Sequence, residues 1–204
     1  MRTHVITATL AAAIVAASVS CSSVVRQGEG SSYLIVESLQ GVEGPSGEEG
    51  TTLRSDVETL VKRQVDGKEL RVPTVFEDGG LVSFRLGLKD PLTPVSPNNF
   101  ITITRYRVDF SRTDGRNTPG VDVPFGFDGA ITVTVSDSAT AGFTLVRLQA
   151  KGEPPLIGLR GGAGLYTIST IATVTFYGTD QTGRAVSATG KITVHFADWA
   201  DPES

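Results

Sequence analysis

The chain is poor in the residues that would carry most chemistry. It has one cysteine, Cys21, in 204 residues, so no disulfide can staple the fold. Two histidines, His4 and His195, and that single cysteine fall short of the set of nitrogen and sulfur ligands a zinc site needs. One tryptophan and one methionine are present, and the aromatic share is 7%. Acidic residues slightly outnumber basic ones, giving a formal net charge of −4, which leaves no electrostatic footprint for nucleic acid. The longest apolar run, near the N-terminus, is shorter than the roughly 18 to 20 residues of a membrane-spanning helix.

What is present is first an address. Arg2 precedes an uncharged stretch from Val5 to Ala17, and small residues Ser18 and Ser20 stand before Cys21. Residues 1–20 therefore read as a secretory signal peptide. Ordinary signal peptidase would accept the same small residues, but it would leave an unpaired thiol on an exported chain. The segment Ala17-Ser18-Val19-Ser20-Cys21 resembles the lipobox of bacterial lipoproteins, with Ser18 at a position commonly held by leucine. The resemblance implies that Cys21 is lipidated (diacylglycerol, with palmitate-like acyl chains) and becomes the first mature residue. Two or more acyl chains give stable attachment where one does not. Residues 21–32 then form a tether rich in Ser and Gly. Ser22 after the cysteine implies an outer-membrane destination where the organism has two membranes.

The remainder, residues 33–198, is long enough for one hydrophobic core. Apolar residues alternate, Thr and Gly are plentiful, and turn signals recur at short intervals, which predicts an all-β antiparallel sandwich. Strands are expected at Tyr33–Leu39, Val57–Val65, Glu69–Phe76, Leu81–Leu88, Phe100–Phe110, Ala130–Val135, Phe143–Ala150, Ile171–Tyr177 and Arg184–Phe196. Asp66-Gly67 marks a hairpin, because both positions tolerate positive φ. Gly41–Gly50 reads as a loop, Asp90–Asn99 holds three prolines and cannot pair centrally, and Lys151–Gly164 reads as an irregular crossover. The parity of apolar residues changes between Ile103 and Tyr106, which predicts a bulge. Residues 199–204 form an acidic tail.

The segments from Gly164 to Ile168, Phe176 to Arg184 and Lys191 to Val194 resemble the final strands of bacterial immunoglobulin-like domains. That resemblance implies an immunoglobulin-like β-sandwich, and the whole mature chain is similar to bacterial secreted lipoproteins. Fold alone assigns no activity.

For chemistry, His195 alternates with Val194 and Phe196, so it is expected on the opposite face of the last strand, and no triad partners accompany it. The best concentration of oxygen ligands is the loop Asp114–Gly129, with Asp114, Asn117, Asp122 and Asp128, joined by Asp180 in a neighbouring turn. Calcium takes six to eight such oxygens, so this group is the candidate calcium or ligand loop. Turn formation by Asp-Gly pairs is the simpler account of the same residues. Trp199 and Tyr177 are the candidate aromatic platforms for carbohydrate, and Lys62, Arg63, Lys68 and Arg71 make the Asp66-Gly67 hairpin basic. The sequence is thus expected to encode a cell-envelope lipoprotein, a non-catalytic binding or structural module held to a membrane, with an unidentified protein or glycan partner. A calcium- or carbohydrate-dependent adhesion module is the alternative, and a small hydrolase using paired carboxylates is a second.

Overall fold

Alternation drives the architecture. In a computed structural model, which describes residues 30–199, the inward positions of each long strand are buried and the outward ones are polar. The signal peptide, Cys21 and the acidic residues beyond Trp199 lie outside the described residues. Eleven strands follow in order: β1 Ser32–Val42, β2 Glu49–Gly50, β3 Thr52–Asp56, β4 Thr59–Val65, β5 Lys68–Thr74, β6 Asp78–Leu88, β7 Ile101–Ser111, β8 Phe127–Val135, β9 Ser138–Val146, β10 Ile168–Asp180 and β11 Ala185–Ala197. They form a four-stranded sheet, β2-β1-β6-β9, and a five-stranded sheet, β3-β11-β10-β7-β8, with β4 and β5 as a separate ribbon. All pairings are antiparallel except β3 with β11.

The two sheets close over one apolar core. Val82, Phe84 and Leu86 of β6 face Ala172, Val174 and Phe176 of β10, with Val194 and Phe196 of β11 beside them. Phe84 and Phe176 meet edge to face with ring centroids 4.9 Å apart, and Tyr106 and Phe143 extend the cluster. The expected bulge is present. Ile103 and Tyr106 are both buried, and the register of β7 against β8 slips between Ile103 and Arg105.

Three sequence expectations need correction. The strand expected at Phe143–Ala150 is displaced: β9 ends at Val146, and Leu148–Lys151 forms a single helical turn, α1. The expected loop Gly41–Gly50 is partly sheet, since Gly41 and Val42 pair with Gly50 and Glu49. Strand β3 was not signalled, because its five residues add to β11 only through long-range pairing.

The displaced turn has a physical cause. It carries Lys151 into the interior, where its ammonium lies 2.8 Å from Asp78 Oδ2 with both side chains fully buried. Asp78 also accepts the Ser55 hydroxyl at 2.6 Å and the Gly44 amide at 2.9 Å. One carboxylate thus joins β6, β3, the β1–β2 connection and the crossover after β9.

The fold has two unlike ends. Near Ser32 lie Leu88, Ile101 and Asp180, tied together by the Ser32 hydroxyl donating to the Asn99 carbonyl and by strand register. At the opposite end lie residues 43–48, the β4–β5 ribbon, residues 112–126, the crossover 147–167 and Trp199. β1 has 11 residues, so the two ends are about 35 Å apart.

Removing the cation from the buried pair tests its role. Lys151→Met leaves Asp78 buried beside an apolar side chain and is expected to destabilise the domain by about 3 to 5 kcal/mol in urea unfolding. Lys191→Ala, at an exposed position of β11, is expected to shift stability by less than about 0.5 kcal/mol.

Candidate functional site

A cleft of about 760 Å³ lies between the β4–β5 ribbon and the end of the sandwich remote from Ser32. One wall is the ribbon, with Thr59, Leu60, Val61 and Lys62 in succession and Arg71 behind them. Side chains of a strand alternate in direction, so four consecutive lining residues mean that the edge of β4 borders the cleft. The facing wall carries Glu43 and Glu48 from the β1–β2 connection. Arg54 and Asp56 of β3, with Phe76 and Trp199, complete it.

Local sequence explains how the ribbon stands out. Asp66 and Gly67 both adopt positive φ, 51° and 76°, and turn the chain in two residues. Val65 and Leu70 stay exposed, so the ribbon does not bury a face on the sandwich. Its base is clamped instead. Ser55 donates to Asp78 across the start and finish of the insertion, and the Val57 amide bonds to the Ala197 carbonyl.

The charges in the cleft are unevenly engaged. Asp56 accepts the Thr59 hydroxyl at 2.7 Å and the Trp199 amide at 3.1 Å. Glu43 accepts the Ser46 hydroxyl. Arg54 lies over the Trp199 ring, 4.6 Å from its centroid, and makes no ion pair among the described residues. Lys62 and Arg71 are directly opposite each other across the ribbon, a like-charge pairing that disfavours it. Glu69 lies 3.7 Å from Lys62, while Arg71 has no carboxylate partner among the described residues.

The residues singled out in the sequence do not converge as one set: Asp114, Asn117 and Asp122 gather around Arg112, while Asp128 and Asp180 lie apart. Asp114, Asn117 and Asp122 sit in the connection after β7, at the same end as the cleft. Asp128 is on β8 beside Arg107, and Asp180 pairs with Ile101 near Ser32. Arg107 and Ile101 are six residues apart on β7, which places Asp180 about 20 Å from Asp128 along the sheet. Each group is also engaged. Arg112 and Arg116 both donate to Asp114 and hold its carboxyl well below the usual range. Asn117 accepts the Arg112 amide and Asp122 the Thr118 amide, while Asp128 meets Arg105 and Arg107. A cation would have to displace these donors. Among the described residues no cluster of three or more His, Cys, Asp or Glu is arranged to hold a metal.

Of the expected aromatic platforms, Tyr177 is covered by Arg105 at 3.9 Å and Trp199 by Arg54. Phe127 is buried and Phe125 half-exposed. His195 lies on the outer face, as its alternation with the buried Val194 and Phe196 required, with Nδ1 2.8 Å from the Ser169 hydroxyl. Among the described residues no helix is long and apolar enough to cross a membrane.

Asp180 organises the β10–β11 turn. Burial raises its pKa, but the Thr182 hydroxyl and the Arg184 and Thr182 amides, all donating to Oδ1, outweigh that and lower it below 3.8. A depressed folded-state pKa means stability present above the unfolded value and lost as pH falls through the folded one. Asp180→Asn is therefore expected to lower stability at neutral pH and to flatten its fall as pH drops below about 4 in urea unfolding.

Comparison of the chain with protein-family models, curated proteins and solved structures gives no match.

Proposed function

We propose that the chain is a lipid-anchored cell-envelope protein whose sandwich is a non-catalytic binding module. The observation that carries this reading is the polarity of the fold. The described chain begins near Ser32, at the end of the sandwich with the β8–β9 and β10–β11 turns and the connection 89–100, while the two longest connections, 112–126 and 147–167, and the cleft lie at the other. A tether attached through Cys21 would hold the first end toward the membrane and present the second. Confinement at a surface raises effective concentration, so that weak contacts suffice.

Strand order supports the immunoglobulin-like part of this reading. β1-β6-β9 corresponds to strands A, B and E of that fold, and β11-β10-β7-β8 to G, F, C and C′. The β2–β5 segment is then an insertion between A and B, and it builds one wall of the cleft. The outer membrane is the destination Ser22 favours, and a protein or glycan is the class of partner. A binding role fits the site better than hydrolysis. Asp56 is engaged by Thr59 and Trp199, and His195 faces Ser169 on the outer surface.

Two measurements check the reading together. Cys21→Ser is expected to move the protein from the detergent to the aqueous phase on phase separation. In intact cells, a photo-cross-linker at position 68 is expected to capture a reproducible partner that one at position 182 does not. Retention of the Cys21→Ser variant in detergent, or equal capture from both ends, would overturn it.

A further inference from the structure

We infer that the connection 89–100 is a second membrane contact, whose exposed Leu92 and Val95 enter the phospholipid surface that holds Cys21. This rests on the lipid-anchor reading and assigns a task to the near end of the sandwich.

The first argument is where the connection is rooted. The Lys89 amide donates to the Ser31 carbonyl at 3.0 Å, and the Asn99 side-chain amide donates to the Ser31 hydroxyl at 2.7 Å. The Ser32 hydroxyl in turn donates to the Asn99 carbonyl at 2.8 Å. Both ends of the connection are therefore bonded to the residues at which the described chain begins. Only residues 22–30 separate Cys21 from Ser31, a stretch that in any conformation spans at most about 35 Å. A lipid on Cys21 keeps this connection, before any other described part of the chain, within reach of the bilayer.

The second argument is what the connection presents. Leu92 is 92% exposed, the most exposed of the large apolar side chains among the described residues, and Val95 is half-exposed. Asp90 accepts the Leu92 amide at 3.0 Å and the Thr93 hydroxyl at 2.7 Å, so its carboxylate is turned back into the connection. The Ser96 amide and hydroxyl both donate to Asn99 Oδ1, which keeps them partnered where water is scarce. Pro91, Pro94 and Pro97 fix φ at three positions, so little chain freedom remains to be lost on insertion. Tyr33 lies across Gly87, two residues before the connection, in space that a side chain at 87 would fill. Its half-exposed ring is of the amphipathic kind that favours the headgroup level. Val121, Leu165 and Tyr166 are also exposed, but they belong to the opposite end, about 35 Å along the strands. Location, together with exposure, singles out Leu92 and Val95.

The test reads depth at one residue. Lipidation blocks the thiol of Cys21, so Leu92→Cys supplies a free thiol for a nitrobenzoxadiazole label, at a side chain exposed enough to be replaced without disturbing the core. The full lipidated protein is reconstituted in vesicles of phosphatidylethanolamine and phosphatidylglycerol, and Lys68→Cys at the ribbon tip carries the same label for comparison. Emission from position 92 is expected to shift to the blue and to lose more than half its intensity to spin-labelled phospholipid, while position 68 reports water. Val95→Asp in the protein labelled at 92 is expected to cut that quenching by more than half, because a carboxylate resists transfer into hydrocarbon. An aqueous label at 92, equal quenching at 92 and 68, or quenching that Val95→Asp leaves unchanged would overturn the proposal. Flotation of the same vesicles separates the two readings. Protein that floats with an aqueous label keeps its anchor and loses only this contact, whereas protein that does not float loses both.

Discussion

Much of this molecule depends on one buried ion pair. Removing Lys151 and Asp78 from water costs several kcal/mol per ion, which only close contact and further hydrogen bonds can offset. The structure supplies both: the 2.8 Å approach of the two charges, the Ser55 hydroxyl and the Gly44 amide. These partners come from four separate stretches of chain. Packing alone could bring those stretches together in several registers, but a fully buried carboxylate accepts few arrangements. The pair therefore fixes where β3 lies against β6 and where the crossover turns. It also closes the base of the β4–β5 insertion, because Ser55 and Asp78 stand at its two ends. The cleft has its shape because that base is held.

The rest of that end is held by weaker means. Arg112 and Arg116 clamp Asp114, and Arg160 approaches Glu58 at 3.7 Å across from the crossover. Pairs of this kind, part-buried to exposed at the surface, contribute little each, on the order of 0 to 1 kcal/mol. With no cysteine among residues 30–199, no disulfide substitutes for them. The long connections are consequently ordered by local hydrogen bonds on a frame that the buried pair and the two-sheet core set. Such a frame tolerates a recognition surface at one end without strain in the core.

What was legible in the sequence was whatever depends on local pattern. Alternation placed Val82, Phe84 and Leu86 inward, and the parity change between Ile103 and Tyr106 located the bulge. Asp66-Gly67 gave the hairpin because its turn chemistry is complete in two residues. What failed was whatever depends on partners far along the chain. Lys151 reads as a surface residue in a glycine-rich stretch, and nothing nearby announces Asp78, 73 positions earlier. β3 has too few residues to declare itself without β11. Asp180 and Asp114 read alike as oxygen donors in turn sequences, yet strand register sends them to opposite ends. The cleft was missed for the same reason: Arg54, Arg71 and Trp199 meet only after the parallel pairing of β3 with β11 brings the chain's last described residues beside its fifties.

The ribbon also has an energetic peculiarity that bears on binding. A lone two-stranded hairpin is marginally stable in water, and this one leaves Val65 and Leu70 exposed while placing Lys62 opposite Arg71. Its order comes from its clamped base and its turn, so the stretch between them belongs to the low-stability part of the molecule. The facing wall is better ordered, because Arg54 is stacked on Trp199. The cleft therefore has one preorganised wall and one adaptable wall, on a base that the buried pair clamps.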